Sequence, residues 1–459
     1  PAFELLTTAR SDVRGVTVPF GVYTMSNDDR HLSSTRNAFI NFFKSLFGAG
    51  VLSLPHAFST VGLPLSLIIF SLIFLTCLFS CYLLLQSKSL TPSLSNSPTT
   101  FLSLSSTILS PSIGRLIGLT ICTLELLFCS GFIIAIKDNL NSSYPSLTSP
   151  TILTVLTPTL LILGQIKWLS DLCCISFLGI TVYFIGVLVS STIYSLRNWS
   201  PPPSMFAGNL SNVREFAGTA VYSLEGICLV LPVEGSMERK GEAFLIVGGS
   251  LSFYAVLIGG YAAIAYGGGL AGEGCDIVTD CIEGDNVKVL RLALSVALIL
   301  SHPVTLFPAS EILTEVLLGG EEGGEDEAKT PLINNQREGG GGEGEEACLD
   351  GFDEFTPPPK SLRSPLKSSL LRVFTVSVTL LLGFSGINFS TFSNIVGAIG
   401  LSTVGFVVPV FLYVKAFQKK HGSAKKIQTN IKIGLVWSLA VGFFNIFVVG
   451  GGAVMKLFV

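Results

Sequence analysis

The sequence predicts an all-α integral membrane protein with about eleven transmembrane helices, in a five-plus-five inverted repeat with broken first and sixth helices. Three observations lead to this fold class. The 459 residues are 49% hydrophobic and only 13% charged, against about a quarter charged in soluble domains. The apolar residues fall into long runs, and two of these runs contain glycine and proline at matched places. An ordinary soluble enzyme, a nucleic-acid binder and a disordered chain are thereby excluded.

The apolar runs define the spans, because a helix needs about 20 mostly apolar residues to cross a bilayer. The predicted spans are Asn37 to Phe58, Leu63 to Leu85, Ile113 to Ile136, Ile152 to Trp168, Cys173 to Leu196, Ala217 to Leu231, Ala243 to Tyr266, Val289 to Leu313, Leu370 to Ile387, Ile395 to Phe417 and Ile433 to Met455. The chain then divides into a cytoplasmic N-terminal segment (1–36), helices 1–8 (37–318), a loop (319–366) and helices 9–11 (367–459). Because the chain starts at Pro1 and not at methionine, we expect a further N-terminal piece.

The positive charges orient the chain with its N-terminus in the cytoplasm. In this topology the cytoplasmic side receives most lysines and arginines, among them the run Lys415, Lys419, Lys420, Lys425, Lys426 and Lys432. The same topology places outside the four N-x-S/T sequons, which are candidate glycosylation sites: Asn141, Asn198, Asn209 and Asn388.

Two polar stretches are predicted to be loops. The segment from Glu321 to Asp350 carries ten acidic residues, and its Gly- and Glu-rich surroundings cannot bury enough apolar surface to order themselves. We interpret it as a flexible cytoplasmic linker, with a docking segment as the alternative. Leu90 to Pro111 is rich in Ser, Thr and Pro and is read as another loop.

Most of the ten cysteines fall inside spans, where a small apolar packing role is expected. Cys275 and Cys281 instead share an outer loop, so a disulfide between them and a pair of free thiols both remain open. A metal site there is less expected because no histidine joins them.

The first and sixth spans contain helix-breaking residues at matched positions. Gly48 and Gly50 lie ahead of Pro55 in the first span, and Gly226 lies ahead of Pro232 in the sixth. Such residues weaken a helix, and unwound backbone is tolerated at membrane depth only where it lines protein or a watery cavity. Close packing of glycine-containing helices is the alternative reading. Matched interruptions in two halves favour a transporter binding site, and we expect the two breaks to form one polar pocket.

Four ionisable residues in or near the spans are candidates for proton coupling: Glu225, Glu125, Glu311 and Lys44. A carboxylate inside a membrane usually faces a cavity or a partner. Glu225 lies beside the sixth-span break, and Lys44 is a candidate counter-charge for Glu225 or Glu311. For Glu311, a solvated position at the cytoplasmic end of its span is an equal alternative to proton coupling. For Glu125, the equal alternative is a hydrogen bond that helps helices pack.

At these residues the sequence resembles the amino acid/auxin permease family, most closely its proton-coupled and vacuolar amino acid transporters. The stretch G-A-G-V-L-S-L-P-H-A-F from Gly48 is similar to the family's first helix, and the stretch from Phe216 to Glu234 to its sixth. Shorter stretches that start at Lys137, Phe307 and Val396 are similar to the family's third, eighth and tenth helices.

The resemblance implies transport of small neutral amino acids with protons, no cofactor, and a vacuolar, lysosomal-type or plasma membrane. It also implies a substrate site in which Gly48, Ala49 and Gly50 offer backbone to the carboxylate, while Tyr222, Ser223, Glu225 and Gly226 face the amino group and side chain. The expected partners are the amino acid, protons and the lipid bilayer, with no nucleic acid. An amino acid sensor and a passive channel of the same fold are the alternatives. An enzyme is not expected, because no G-x-x-x-x-G-K-[ST], H-E-x-x-H or G-x-S-x-G motif is present.

Overall fold

The computed structural model describes residues 35–94, 99–165, 179, 181–224, 226–237, 239–271, 275–282, 287–318 and 365–455. Within these ranges the chain folds almost entirely into helices. They are α1 (Thr35–Ser45), α2 (Gly50–Val61), α3 (Leu63–Ser89), α4 (Phe101–Ile108), α5 (Pro111–Ser143), α6 (Ser149–Leu163), α7 (Thr181–Arg197), α8 (Val213–Ser223), α9 (Val230–Ser236), α10 (Ala243–Gly267), α11 (Val287–Leu318), α12 (Pro365–Gly383), α13 (Phe389–His421) and α14 (Thr429–Met455). Three of them contain π-helical stretches: Phe184–Val189 in α7, Val396–Leu401 and Thr403–Val407 in α13, and Phe444–Gly450 in α14.

The protein is an all-helical membrane protein. Seven segments of the described chain are long and apolar enough to cross a bilayer: Leu63–Ser89, Pro111–Ser143, Val213–Ser236, Lys240–Gly267, Val287–Thr314, Phe389–His421 and Thr429–Met455. The helices of the other predicted spans are shorter or interrupted, and residues 166–178 between the fourth and fifth lie outside the described part. The count of eleven and the inverted repeat therefore stay predictions.

Both predicted helix breaks are present. The first helix stops at Ser45 and resumes at Gly50. The second stops at Ser223 and resumes through a 3-10 turn, Ile227–Leu229, before α9. The prolines do not end either helix. Pro55 lies inside α2, and Pro232 is the third residue of α9, where a backbone N–H has no helical acceptor anyway.

Helix α5 lies at the centre of the packing, where it runs along α11, α12 and α4. Helix α8 packs on α2 on one side and on the π-helical part of α13 on the other. Large apolar side chains such as Ile68, Leu245 and Val256 point outward, as expected of helices that face lipid. The broken helices thus pack against α3, α10, α13 and α14.

The predicted loop from Leu90 to Pro111 contains a helix, so that prediction is wrong in part. Thr100 caps α4 by a reciprocal capping box with Ser103, a short-range signal that outweighs the Ser-rich composition. The helix packs closely on α5, where Gly114 faces the backbone of Ser106. The predicted acidic linker lies almost entirely outside the described residues.

Candidate functional site

The two helix breaks lie against each other. A Cβ atom added to Gly50 would stand 2.8 Å from the Cα of Ser223 and 2.9 Å from Cδ1 of Tyr222. A Cβ on Gly226 would overlap the side chain of Leu46. Glycine at position 50 therefore allows the two backbones to approach within a distance that a side chain would not permit, while glycine at position 226 leaves room for the side chain of Leu46.

Two backbone carbonyl groups at the breaks accept hydrogen bonds from tyrosine hydroxyls. Tyr183 of α7 donates a hydrogen bond to the carbonyl of Gly48 at 3.0 Å, and Tyr254 of α10 donates one to the carbonyl of Ser223 at 3.0 Å. The ring of Phe47 lies between them, with its centroid 5.1 Å from that of Tyr254 and 6.3 Å from that of Tyr183. Sequence reasoning missed both tyrosines, although a tyrosine hydroxyl inside an apolar span usually has a hydrogen-bond partner.

The predicted substrate residues are gathered at this contact. Ala49, Gly50, Tyr222, Ser223 and Gly226 are buried, and Gly48 is half-buried. Ser53, one turn into α2, donates its hydroxyl to the carbonyl of Gly50 at 3.2 Å.

The predicted proton-coupling residues are distributed differently. Glu125 is buried in the middle of α5. Glu225 lies outside the described residues, as do the side chains of Lys44 in α1 and Glu311 in α11. The predicted pairing of Lys44 with a carboxylate therefore stays a prediction.

A small cavity adjoins the sixth-span break. Its volume is about 20 Å³, enough for about one water molecule and too little for an amino acid. Its walls are mainly apolar: Phe42, Cys77, Cys81, Val221, Leu224, Gly226, Ile227, Leu251, Leu401, Gly405 and Phe406. This cavity is therefore not the expected polar pocket, because side chains from α1, α3, α8, α10 and α13 close around Gly226. Glu225 at the break lies outside the described residues, so the polar pocket stays a prediction.

A buried ion pair fastens the second half of the broken sixth span. Lys88, at the end of α3, donates a charged hydrogen bond to Glu234 of α9. The two side chains are only 2% and 7% exposed. The pair joins a half-helix to a continuous one, so it holds α9 in position relative to the break.

The outer loop between α10 and α11 is cross-linked and pinned to two helices. Cys275 and Cys281 form a disulfide with their Cα atoms 5.6 Å apart. Between them, Thr279 donates to Asn139 of α5 at 2.7 Å, and its carbonyl accepts from the guanidinium of Arg291 of α11 at 3.0 Å. Asp280 accepts a hydrogen bond from Ser142 at 3.2 Å.

Asp280 makes the stability of this loop depend on pH. Burial raises the pKa of its carboxyl group to about 6, with Arg291 opposing the shift and Asp138 and Asp276 adding to it. Between pH 4 and 6 the native carboxyl therefore keeps a proton that the unfolded chain has lost, so the free energy of unfolding falls as pH rises through this range.

We expect Asp280→Asn to remove this dependence and to stabilise the protein at pH 7 by roughly 1–3 kcal/mol. Thermal melting in detergent between pH 4 and 8 measures it. A variant whose melting temperature still falls between pH 4 and 6 as steeply as that of the wild type would contradict the assignment.

The candidate glycosylation residues lie at helix ends and in a loop. Asn141 is half-buried in the last turn of α5, Asn198 follows α7 and is exposed, and Asn209 is exposed in the connection before α8. Within the described ranges no group of three His, Cys, Asp or Glu residues is placed to hold a metal ion.

The chain is similar to known membrane proteins. The family model described as "Transmembrane amino acid transporter protein" matches residues 31–454. The chain is 24% identical over 422 residues to the amino acid transporter AVT3A of Arabidopsis thaliana, covering 89% of this chain and 87% of that one. It is 25% identical over 300 residues to the vacuolar amino acid transporter 4 of Saccharomyces cerevisiae, covering 61% of this chain and 40% of the yeast protein. Among solved structures, MhsT in complex with L-phenylalanine aligns over 92% of this chain and 98% of its own, with 13% identity and a TM-score of 0.48.

Proposed function

Because the chain belongs to the transmembrane amino acid transporter protein family, we propose that it is a secondary active transporter that moves small neutral amino acids and couples their movement to protons. The protein is a multi-pass membrane transporter and not an enzyme. Vacuolar relatives in yeast support placing it in a vacuolar or lysosomal-type membrane, with the N-terminus in the cytoplasm.

The observation that carries the proposal is the contact between the two helix breaks. Helix α2 starts at Gly50 with backbone amides directed at the break, and the positive end of a helix dipole binds a carboxylate. Across the contact, the released carbonyl of Ser223 is an acceptor suited to an ammonium group. One amino acid therefore finds both complementary charges within one gap once the breaks separate.

While the gap is closed, the hydroxyls of Tyr183 and Tyr254 donate the hydrogen bonds that the substrate's ammonium group would otherwise donate to the backbone carbonyls. Each of them satisfies a carbonyl that would otherwise be buried without a partner, which costs about 1–3 kcal/mol. The aromatic ring of Phe47 and the tight fit at Gly50 limit the size of the side chain that can enter. We assign Glu225 to the amino group of the substrate or to the proton, as the carboxylate nearest to the break in sequence.

The proposal is tested by reconstituting the protein in proteoliposomes and measuring uptake of a panel of radiolabelled amino acids at two pH values. We expect saturable uptake of small neutral amino acids, trans-stimulation by unlabelled substrate, and accumulation in response to a pH gradient. Unsaturable flux without trans-stimulation would instead identify a channel. Ligand binding without flux would identify a sensor.

A glycine substitution tests the site within the same assay. We expect Gly50→Ala to lower uptake at least tenfold, because its Cβ would press on the backbone of Ser223. Gly260→Ala is the matched control, since a Cβ there has nothing within 4 Å and lies in an exposed turn of α10. Equal uptake by the two variants would remove Gly50 from the site.

A further inference from the structure

Resting on the proposed function, with Glu225 taken as the residue that binds the substrate's amino group, we propose that the transported proton binds at Nδ1 of His302, with Glu125 as its counter-charge, where α5, α11 and α12 meet. His302 stands in the middle of α11 and is completely buried. The inference goes beyond the two helix breaks, because none of these residues belongs to them.

The hydrogen bonds at this junction determine which nitrogen of His302 carries its proton. Thr379 of α12 donates its single hydroxyl proton to the carbonyl of Val376 at 2.8 Å. The same oxygen lies 3.2 Å from Nε2 of His302, so it accepts the proton of Nε2 there. We therefore assign the proton of the neutral ring to Nε2, which leaves a bare lone pair on Nδ1.

That lone pair has no hydrogen-bond partner among the described residues. A buried polar atom of this kind is uncommon in native structures and usually has a functional reason. For an imidazole nitrogen, the simplest ligand is a proton, because His is the side chain that ordinarily gains and loses one near neutral pH.

Glu125 lies on the face of α5 that contacts α11. Two thiols set the register of these antiparallel helices: Cys129 bonds to the carbonyl of His302, and Cys122 to the carbonyl of Ala309, each at 3.6 Å. Positions 122, 125 and 129 share one helix face. In this register Glu125 is opposite Leu306, about one helical turn from His302.

A carboxylate at this position would lower the free-energy cost of protonating His302. An imidazolium alone in the membrane would be costly, and a buried carboxylate about one helical turn away offsets part of that cost. Other ionisable groups on the packed elements are the thiols of Cys122 and Cys129, the phenol of Tyr183, which is bonded to Gly48, and Arg372, two turns along α12. The remaining ones lie towards the helix ends: Arg115, Lys137 and Asp138 on α5, Lys288 and Arg291 on α11 with Asp280 before it, Lys367 on α12, and Tyr194 and Arg197 on α7. The side chain of Glu315 of α11 lies outside the described residues. Helix α6 contributes none. The side chain of Glu311 lies outside the described residues.

The same helix that carries Glu125 also touches the substrate site. The ring of Phe128, one turn further along α5, lies 5.2 Å from the ring of Tyr222. A shift of α5 on protonation of His302 would therefore move a side chain that contacts the break. The step itself is simple: a proton from water on one side joins the Nδ1 lone pair to form the imidazolium, and the same N–H bond breaks to release it on the other side.

The first test compares His302→Gln with His421→Gln in proteoliposomes. The glutamine amide can still donate to Thr379 but cannot be protonated, so we expect pH-driven accumulation of the amino acid to fall at least tenfold while counterflow at equal pH remains. His421 is exposed at the cytoplasmic end of α13, and its replacement should leave both unchanged.

Each outcome separates the inference from the function on which it rests. Accumulation by His302→Gln equal to that of the wild type would overturn the inference alone. Absence of any amino acid flux in the wild type would overturn the proposed function. Wild-type flux that ignores a pH gradient would overturn both proton coupling and the inference.

If His302→Gln does not fold, a second measurement tests the proposal on a protein that keeps His302. Replacing His31, His56 and His421 with glutamine leaves His302 as the single imidazole of the full chain. In solid-state NMR of this protein with ¹⁵N-histidine, we expect the Nε2-protonated neutral ring at high pH and an imidazolium signal as pH falls through the range that drives transport. A ring that stays neutral throughout, or one protonated at Nδ1, would overturn the proposal.

Discussion

Replacing Lys88 with methionine is expected to lower the free energy of unfolding by about 3–5 kcal/mol, because Glu234 would remain buried without its counter-charge. Both members of the pair are almost completely covered, so water cannot take the place of the lost ammonium group. The loss should appear as a lower melting temperature and as less monodisperse protein after extraction in detergent.

Two controls separate the lone charge from the loss of packing. The double variant Lys88→Met with Glu234→Leu should recover most of the stability, since two apolar side chains of similar volume replace a buried pair at little cost. Arg239→Gln breaks an exposed pair with Glu242, whose side chains are 72% and 36% accessible, and should change stability by less than about 1 kcal/mol. A Lys88→Met protein as stable as the double variant would show that Glu234 is not held as a buried anion.

Replacing Gly397 with alanine is expected to destabilise the protein by at least about 3 kcal/mol and to abolish transport. The new Cβ would overlap the carbonyl oxygen of Gly218 and stand 2.8 Å from the amide nitrogen of Tyr222. Both obstacles are backbone atoms, which no change of rotamer can move. Helices α8 and α13 would have to separate, and Tyr222 at the break would move with them.

Gly451→Ala in α14 is the matched control, because nothing lies within 4 Å of a Cβ at that position. Fluorescence-detected size-exclusion chromatography measures the folded fraction, and proteoliposome uptake measures transport. Normal yield and normal uptake of Gly397→Ala would contradict the close packing of α8 on α13 at this position.

The local sequence was sufficient to find the helix breaks. Gly48, Gly50 and Gly226 lower helix stability wherever they occur, so the interruptions could be placed without knowing their surroundings. Pro55 and Pro232 do not end their helices, although the sequence marks them as helix-breaking residues. A helix tolerates a proline in its first turn, where the missing N–H has no helical acceptor, and Pro55 shows that α2 also continues past one. The loop predicted before α5 shows the opposite error, because a local signal received too little weight. Composition averaged over the Ser-rich stretch predicts a loop, whereas the capping box at Thr100 starts a helix through residues only three positions apart.

The contacts that define the site could not be predicted in the same way. Tyr183 is 135 residues from Gly48, and Lys88 is 146 residues from Glu234. In an apolar span, a tyrosine or a terminal lysine has many conceivable partners, and sequence spacing does not choose among them. Only the packing of α3, α7 and α10 around the broken helices does so.

The sequence alone determined that this chain is an all-helical membrane protein, where its first and sixth helices break, and which family it resembles. These properties follow from hydrophobicity, glycine content and short motifs, which act within one helix. The tertiary structure decided that the breaks close on each other over an apolar cavity, that tyrosines cap their carbonyls, and that His302 and Glu125 share a helix interface. Those outcomes depend on which distant surfaces fit together, and that fit is a property of the whole packed bundle.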